Sequence, residues 1–409
     1  MSKRTVELEL ATPGLDARGQ PVRVPLGVAA APGASDVAPP EPDLPGEHML
    51  INLGPQHPAT HGVLRLVVEL DGETVVRVIP HLGYLHSGFE KLGEYRHYNQ
   101  IIPLTDRTDY LSPMANNVGF ALAAEKLMGI EITPRCKVLR VMACEMSRII
   151  SHMVWLGTTS IDLGAFTPFL WAFQERERIY NLQEMWTGAR LTTSVTRVGG
   201  LMADVPDDFV AGLREFTQTF PRTLSEIDRV LTRNAVWVGR TQGVGALSAA
   251  EATNYSLSGP MLRASGVPYD VRKDQPYLDY ETYDFDVVVG EHGDVYDRYM
   301  MRVLEMRESV KILRRALREI PDGPIIDPKA KLRGFRPKAG EAYGRIEASK
   351  GELGFYLISD GSANPYRYRV RPPSFINLTV LEEMCLGQLV ADVVIILGSV
   401  DIVLGEVDR

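Results

Sequence analysis

Residues 137–165, KVLRVMACEMSRIISHMVWLGTTSIDLGA, form a long and mostly apolar segment in which the apolar residues recur at helical spacing. A helix of this length and composition has to be buried against other elements. Arg140, Glu145, Arg148 and His152 are set into it. We predict that His152 is a hydrogen-bonded core histidine and that Glu145 and Arg148, three residues apart, form an ion pair.

Four other segments carry helical spacing and are candidates for the packing partners of this helix: residues 114–130, 172–189, 206–232 and 294–320. Pro221 lies inside the third of them, which predicts one helix broken there or two helices in series. In the fourth, Glu305, Arg307 and Glu308 are predicted to form a solvent-facing or subunit-facing stripe. Five helical segments in one block indicate a helical bundle.

Alternation with a period of two flanks the helical block on both sides. In residues 63–80, Leu64, Leu66 and Val68 alternate with other residues, and Asp71-Gly72 favours a tight turn, so we predict a β-hairpin. The alternation returns in residues 342–361 and 366–378, which are predicted to form strands with turns. The order of strands, helices and strands predicts an α+β fold rather than a doubly wound sheet.

This pattern divides the chain into four parts. Residues 1–47 are rich in Pro, Ala, Gly and acidic residues and show no sustained period, which predicts a flexible leader. Residues 48–112 form an N-terminal β-rich part and residues 113–325 a central helical bundle. Residues 326–409 form a C-terminal β-rich part with a buried C-terminus.

Charge and motifs exclude several classes of function. The formal net charge is -8 and the sequence pI is about 5.6, which gives no reason to expect nucleic acid or an anionic membrane surface as a partner. The sequence contains neither G-x-x-x-x-G-K-S/T nor G-x-G-x-x-G, so no phosphate-binding loop is indicated. Cys136, Cys144 and Cys385 lie far apart and are predicted to be buried thiols in a reducing compartment.

The two ends of the chain carry little sign of membrane insertion. The N-terminus lacks the apolar core of a signal peptide. The most apolar window, residues 385–405, is interrupted by two aspartates and three glycines, so a buried strand or core helix is favoured over a membrane span. We therefore expect a soluble chain, or one attached to a membrane through partners.

Six of the eight histidines lie between His48 and His97, mainly in loop-like sequence. One interpretation is a metal site of His57, His61, His81 and His86, although their spacing matches no standard zinc pattern. A second is that they are hydrogen-bonding loop or core residues. A third is a site for a polar, redox-active head group, because His and Tyr can donate hydrogen bonds and protons to a carbonyl oxygen that becomes negative on reduction.

Several long blocks of the sequence resemble a single family. They are GPQHPATHGVLRL, HLGYLHSGFEKL, GVGALS, LSGPMLRASGVPYDVRK, EMRESVKI, KGELGFYLISDG and the terminal VDR. From about residue 49 to residue 409 the chain resembles the D subunit of respiratory complex I, the quinone-site subunit of bacterial NADH:quinone oxidoreductase. The resemblance implies a fold like that of the large subunit of nickel–iron hydrogenases.

The resemblance also implies that the metal centre of those hydrogenases is lost. Asp109 and Ser112 match the first pair of hydrogenase cysteines, Val403 and Glu406 match the second pair, and Arg409 matches the histidine. No thiolate remains to bind a soft metal. We therefore expect this cavity to hold no metal.

In the family this cavity is the inner end of a quinone channel, and the resemblance assigns three residues to it. His61, in the H-P-x-T-H-G motif, and Tyr110, in the R-x-D-Y motif, are expected to hydrogen-bond the quinone head group. Asp162 is expected to partner His61 and to favour the imidazolium, which can supply a proton to reduced quinone.

The resemblance implies the following partners and setting. Quinone is the substrate, and this chain itself binds no metal or flavin. Electrons come from a terminal iron–sulfur cluster in the neighbouring B subunit, and the C and I subunits and the membrane H subunit are further partners. The chain is expected to be a peripheral protein on the cytoplasmic side of the bacterial plasma membrane, active only in the assembled, proton-translocating complex.

Two alternatives come from other classes of protein. One is a non-catalytic scaffold subunit of a related membrane-bound, hydrogenase-like complex. The other is a metal hydrogenase subunit, which the missing cysteine pairs oppose.

This chain departs from the pattern of the family at three places. Asp106 and Thr108 replace a proline and a methionine found in many members beside the R-x-D-Y motif. Thr192 takes the position of a histidine that contacts the terminal cluster in many members, so redox tuning by that histidine is absent. A helical insert before G-E-x-Y is missing, and residues 327–345 run straight through.

Overall fold

The computed structural model describes residues 48–327 and 334–409. The predicted flexible leader, residues 1–47, lies outside this range. Part of residues 327–345, the stretch that lacks the helical insert, also lies outside the described range. The secondary structure combines helices and small antiparallel sheets, so the predicted α+β class is confirmed.

The N-terminal sheet has three antiparallel strands in the order β1-β2-β3, with bounds Met49–Leu53, Arg65–Asp71 and Thr74–His81. The predicted hairpin is confirmed, and Leu64, Leu66 and Val68 are fully buried. Asp71 pairs with Thr74, so the loop is one residue later than predicted. Strand β1 is not predicted by the sequence, because its exposed pattern of Met-Leu-Ile-Asn-Leu gives no clear alternation.

Helices fill most of the remaining chain. The first six are α1 (Phe89–Glu94), α2 (Tyr98–Thr108), α3 (Pro113–Met128), α4 (Pro134–Asp162), α5 (Phe166–Thr187) and α6 (Asp207–Leu231). The next five are α7 (Ala235–Thr241), α8 (Ala249–Asn254), α9 (Pro260–Ala264), α10 (Val271–Asp274) and α11 (Val295–Arg318). Two-residue strands β4 (Thr196–Arg197) and β5 (Gly200–Leu201) form a small hairpin after α5, and 3-10 turns span Pro58–Thr60 and Tyr280–Thr282.

The predicted bundle is confirmed, because α4 packs against α3, α5 and α11, and α6 packs against α5 and α11. Helix α4 begins where Thr133 Oγ1 accepts a hydrogen bond from Cys136 N and Pro134 takes the first helical position. Helix α6 runs without interruption through Pro221, so the predicted break is wrong. Phe216, Phe220 and the apolar residues after them stay buried on one face, and this packing outweighs the hydrogen bond lost at proline.

Charged residues fill part of the bundle interior. We call this set the inner ion network; it consists of Arg148, Arg263, Arg272, Glu145, Asp270, Glu305 and Glu347, all buried. The predicted pair is present, since Arg148 Nε donates to Glu145 Oε2 at 3.3 Å. The predicted exposed stripe is wrong for Glu305, which is 2% exposed and is bound by Arg263 and by Nε2 of His152.

The prediction that His152 is a core histidine is confirmed. Its ring is fully buried, and its Nε2 lies 2.9 Å from Glu305 Oε2. The prediction that the three cysteines are buried is also confirmed.

The C-terminal part contains the antiparallel sheet β6-β7-β8, with bounds Gly340–Ala348, Gly351–Ser359 and Arg367–Arg371, which packs on α3. Four short helices follow: α12 (Pro373–Leu378), α13 (Leu381–Cys385), α14 (Val390–Val400) and α15 (Leu404–Asp408). The sequence predicts strands throughout residues 366–378, but only their first half is a strand. The apolar window contains α14, a core helix, and none of the described helices is long and apolar enough to cross a membrane.

Two apolar cores result. One joins the bundle to the sheet β6-β7-β8. The other joins strands β2 and β3 to α14, α15 and the segment around α13. The second core brings the N-terminal strands and the end of the chain together, although they are remote in sequence. The division at residues 112 and 325 stays a prediction.

Candidate functional site

The loop before β2 holds the two histidines of GPQHPATHG. His57 caps the 3-10 turn, since its Nδ1 accepts a hydrogen bond from Ala59 N at 3.2 Å. Thr60 Oγ1 donates to His57 O at 3.0 Å. Gly54 has a φ of +78°, and a Cβ there would lie 2.1 Å from Leu64 O, so only glycine fits. These contacts give His57 a structural role in this loop.

His61 ends the 3-10 turn in the left-handed region, with a φ of 53°. Its side chain is exposed to solvent. Desolvation, followed by the positive charge of Lys350, lowers the pKa of His61 to about 4. The lowered pKa favours the neutral imidazole at pH 7, and the imidazolium that the resemblance implies stays a prediction.

Tyr110 lies in the turn between α2 and α3 and is half-buried. Desolvation and the Asp109 carboxylate raise the pKa of Tyr110, and the Lys350 ammonium opposes them. Within the described part of the chain, no protein group hydrogen-bonds to the Tyr110 hydroxyl or to the His61 ring. Both groups can therefore form hydrogen bonds with a bound molecule.

Asp162 is the last residue of α4 and is exposed. Desolvation raises the pKa of its carboxyl group, and the charge of His57 acts in the opposite direction. The structure thus relates Asp162 electrostatically to His57 and not to His61. The pairing of Asp162 with His61 stays a prediction.

The segments that match the two hydrogenase cysteine pairs meet in the interior. Asp109, Ser112, Val403 and Glu406 are all buried. Ser374 links the second segment, since its backbone N donates to Glu406 Oε1 at 2.8 Å and its hydroxyl accepts from Val403 N at 3.1 Å. The donor set is two carboxylates, a hydroxyl and an apolar side chain, which does not suit a soft metal.

A buried lysine lies beside these carboxylates. Lys350 Nζ is 3.5 Å from Asp109 Oδ2 and 4.0 Å from Asp401 Oδ2. Sequence reasoning missed both Lys350 and Asp401. In the sequence, Lys350 is marked only as the first residue of the KGELG block that resembles the family. No local sequence pattern indicates that Lys350 or Asp401 is buried near the Tyr110 segment.

Burial and the Asp109 carboxylate raise the pKa of Glu406 from 4.5 to about 8. Between these values the folded chain binds a proton that the unfolded chain releases, so stability is lost as the pH rises through this window. We expect Glu406→Gln to remove this loss. The free energy of unfolding of the purified chain, measured with urea from about pH 5 to about pH 8, should fall less steeply than in the unsubstituted chain.

Glu215→Gln is the matched control, because the Glu215 side chain is 74% exposed. It should leave the pH dependence of stability unchanged. Equal slopes for Glu406→Gln and the unsubstituted chain would contradict the assignment.

The four histidines proposed as a metal site do not assemble into one. His86 Nδ1 lies 2.7 Å from the carbonyl oxygen of Asp408, and Asp408 also accepts hydrogen bonds from the backbone N of Gly83 and of Leu85. Across residues 48–327 and 334–409, no three His, Cys, Asp or Glu side chains are arranged to hold a metal ion. These contacts instead attach the C-terminus to the loop after β3.

One departure from the pattern of the family and one residue at a hydrogenase metal position have defined contacts in the structure. Asp106 lies in the last turn of α2, is buried, accepts from Asn117 Nδ2 at 2.8 Å and also binds the Ser194 hydroxyl. The carboxylate thus fixes the segment that leads to Tyr110. The guanidinium of Arg409, at the position of the hydrogenase histidine, lies over the Phe375 ring at 4.5 Å.

Comparison with known proteins assigns the chain to a family. The model of the family described as respiratory-chain NADH dehydrogenase, 49 Kd subunit, matches residues 162–409. This chain belongs to that family. The α+β fold and the resemblance found in the sequence agree with membership of this 49-kDa subunit family, which contains the D subunit of complex I.

Curated members of the 49-kDa subunit family are similar to this chain over most of its length. The D subunit of NADH-quinone oxidoreductase from Geotalea uraniireducens (strain Rf4) is 51% identical over 386 residues, which cover 89% of this chain and 99% of the relative. The D subunit from Geobacter sulfurreducens is 49% identical with the same coverage. The second D subunit from Sinorhizobium medicae is 49% identical over 387 residues, which cover 89% of this chain and 96% of the relative. The chain is thus a subunit of an oxidoreductase complex.

Proposed function

We propose that this chain is the quinone-binding subunit of a proton-translocating NADH:quinone oxidoreductase, and that His61 and Tyr110 hydrogen-bond the quinone head group. One observation carries the proposal. Two side chains from separate segments, each with a hydrogen-bonding group that no described protein group engages, lie within the electrostatic influence of the same buried ammonium, Lys350. The names of the relatives, which are quinone oxidoreductase subunits, support the choice of substrate.

The chemistry at this site is the addition of two electrons and two protons to a quinone, which yields the quinol. The electrons come from a one-electron carrier of the iron–sulfur class in a neighbouring subunit, since this chain has only three separated cysteines. Negative charge builds up on the quinone oxygens as the electrons arrive. Tyr110 O–H and one ring N–H of His61 donate hydrogen bonds to them. Tyr110 then donates its proton, and water supplies the second proton and reprotonates Tyr110.

The low pKa of His61 refines this role. A neutral imidazole is a poor proton donor, but its N–H forms a stronger hydrogen bond with a reduced, negative oxygen than with a neutral quinone. His61 therefore acts after electron transfer. Asp162 acts through the loop, because its carboxylate lies in the field of His57, which caps the turn that ends at His61.

The proposed partners are the other subunits of complex I: the B subunit with the terminal cluster, the C and I subunits, and the membrane H subunit. The proposed position is peripheral, on the cytoplasmic side of the plasma membrane. Thr192 takes the position at which many members of the family have a histidine that contacts the terminal cluster. The proposal therefore includes a terminal cluster whose redox potential is not tuned by a histidine of this chain.

We expect Tyr110→Phe in the assembled complex to lower quinone reductase activity about tenfold, because a hydrogen bond to a charged oxygen is lost. His61→Ala should lower it at least as much. NADH oxidation by ferricyanide should be unchanged in both variants, because that electron acceptor does not use this site. The measurement is the ratio of the two activities in the same membrane preparation.

Tyr366→Phe and His292→Ala are the matched controls, because both side chains are exposed and lie outside the proposed site. They should retain both activities. Full quinone reduction in Tyr110→Phe and His61→Ala together would refute the site and favour a non-catalytic scaffold.

A further inference from the structure

Lys350 occupies an unusual place in the fold, the buried tip of a hairpin. Ala348 pairs with Gly351, so Ser349 and Lys350 form the two-residue loop between β6 and β7. Hairpin loops usually lie at the surface, and lysine is almost never fully buried without a partner. Here both loop residues are only 1% exposed.

The tip is held from several sides. Asn377 Nδ2 donates to the carbonyl oxygen of Lys350 at 3.1 Å. Gly259 packs directly on the tip, since a Cβ there would lie 2.6 Å from the same oxygen. Lys350 Nζ donates to the hydroxyl of Ser151 on α4. These contacts fix the ammonium in position before any ligand binds.

The charge on this group is maintained in the folded chain. Burial lowers the pKa of Lys350, but the nearby carboxylates of Asp109, Asp401 and Glu406 more than offset burial, and the pKa is raised. Arg302, whose Nε is 3.5 Å from Asp401 Oδ2, shares that carboxylate. Asp109 Oδ2 and Asp401 Oδ2 form no hydrogen bond with any described group, so the ammonium is near both carboxylates without being tightly bound by either.

The same ammonium acts on both residues of the proposed quinone site. It lowers the pKa of His61 and opposes the rise in the pKa of Tyr110. His61 and Tyr110 come from different parts of the chain, and among their electrostatic influences only that of Lys350 is common to both. The ammonium also lies 3.5 Å from Oδ2 of Asp109, the residue that precedes Tyr110, so the buried positive charge adjoins the Tyr110 segment of the proposed site.

We propose that Lys350 is a positioning residue of the quinone site, whose fixed ammonium stabilises the quinone oxygens as they become negative between His61 and Tyr110. The inference rests on the proposed function. Oxidised quinone is neutral and gains little from the charge, whereas the quinone that has accepted electrons gains more. A group that stabilises the negatively charged, reduced quinone more than the bound, oxidised quinone raises kcat and leaves KM almost unchanged. Interior surroundings keep its field less screened than it would be in water.

The test removes the positive charge of Lys350 while keeping the net charge of the surrounding interior unchanged. Lys350→Met removes one positive charge from the interior, so it is combined with Asp401→Asn, which removes one negative charge. The double variant is compared with Asp401→Asn alone in the assembled complex. We expect kcat for quinone reduction to fall about tenfold and KM to change less than about threefold. Ferricyanide reduction by NADH, which reports assembled complex, should be equal in the two preparations.

Two further variants strengthen the design. Lys350→Gln keeps a hydrogen-bond donor for Ser151 without the charge. It replaces the methionine variant in the test if that variant does not assemble, and we expect it to show the same fall in kcat. Lys311→Met, whose side chain is 51% exposed on α11, should behave like the unsubstituted complex. Unchanged kcat, or a loss that appears only in KM, overturns the inference.

The result separates the two proposals. If Tyr110→Phe and His61→Ala keep full activity, the site itself is wrong and the inference about Lys350 falls with it. If those variants lose activity while the Lys350 variants do not, only the role of Lys350 is overturned.

Discussion

Arg263→Met should destabilise the fold by about 3–5 kcal/mol, the range typical of breaking a buried ion pair by removing one partner. Arg263 is 1% exposed and is bound on two sides by carboxylates of the inner ion network. Its Nη2 donates to Glu305 Oε1 at 2.6 Å and its Nη1 to Glu347 Oε1 at 2.8 Å. Methionine fills similar space but leaves both carboxylates without their guanidinium in the interior.

The measurement is urea unfolding of the purified chain, together with the amount of chain recovered in assembled complex. Arg222→Met is the matched control, because the Arg222 side chain is 87% exposed and pairs with Glu226 on the same helix. That exchange should change stability by no more than about 1 kcal/mol. A similarly small change for Arg263→Met would show that the inner ion network contributes little to the fold.

Gly405→Ala should lower quinone reduction by about a hundredfold, because a displacement of about 1 Å at a site can have an effect of that size. Gly405 lies in α15, directly against the end of α2. A Cβ there would lie 2.5 Å from Arg107 O and 2.7 Å from Thr108 O. These carbonyl groups belong to the backbone just before Asp109 and Tyr110, so that segment has to move.

Quinone reductase activity of the assembled complex, divided by its ferricyanide activity, measures this effect. Gly239→Ala is the matched control, since Gly239 lies within α7 and a Cβ there would meet no heavy atom within 4 Å from the other described parts of the chain. It should be neutral or stabilise the helix by up to about 1 kcal/mol. Normal activity in Gly405→Ala would mean that the backbone before Tyr110 can move to accommodate the added Cβ without disturbing the site.

The long elements of the fold are predictable because their apolar periods are long enough to be unambiguous. Residues 137–165 and 294–320 indicate helices that are present as α4 and α11, and residues 63–80 indicate the hairpin β2-β3. Short elements are not predictable in this way. Helix α2 contains Pro103 and has a mixed, loop-like sequence, and its helical state depends on packing against α1, α3 and α15.

The surroundings of charged residues are predicted less well. The spacing of Glu305, Arg307 and Glu308 on α11 suggests an exposed stripe, but only Arg307 is exposed. Periodicity identifies a polar face from residue type alone. It does not show that arginines from α4 and α9 converge on Glu305 and make burial of its carboxylate favourable.

The sequence by itself determined the family, the helical bundle, and the two motifs that contain His61 and Tyr110, because these depend on local patterns. The tertiary structure alone decided what surrounds them: the lowered pKa of His61, the electrostatic effect of His57 on Asp162, and the buried ammonium of Lys350. A pKa depends on every charge and every desolvating atom nearby in space. Those atoms come from segments as distant as the 54–62 loop, the β6-β7 hairpin and the C-terminus, which only the folded chain brings together.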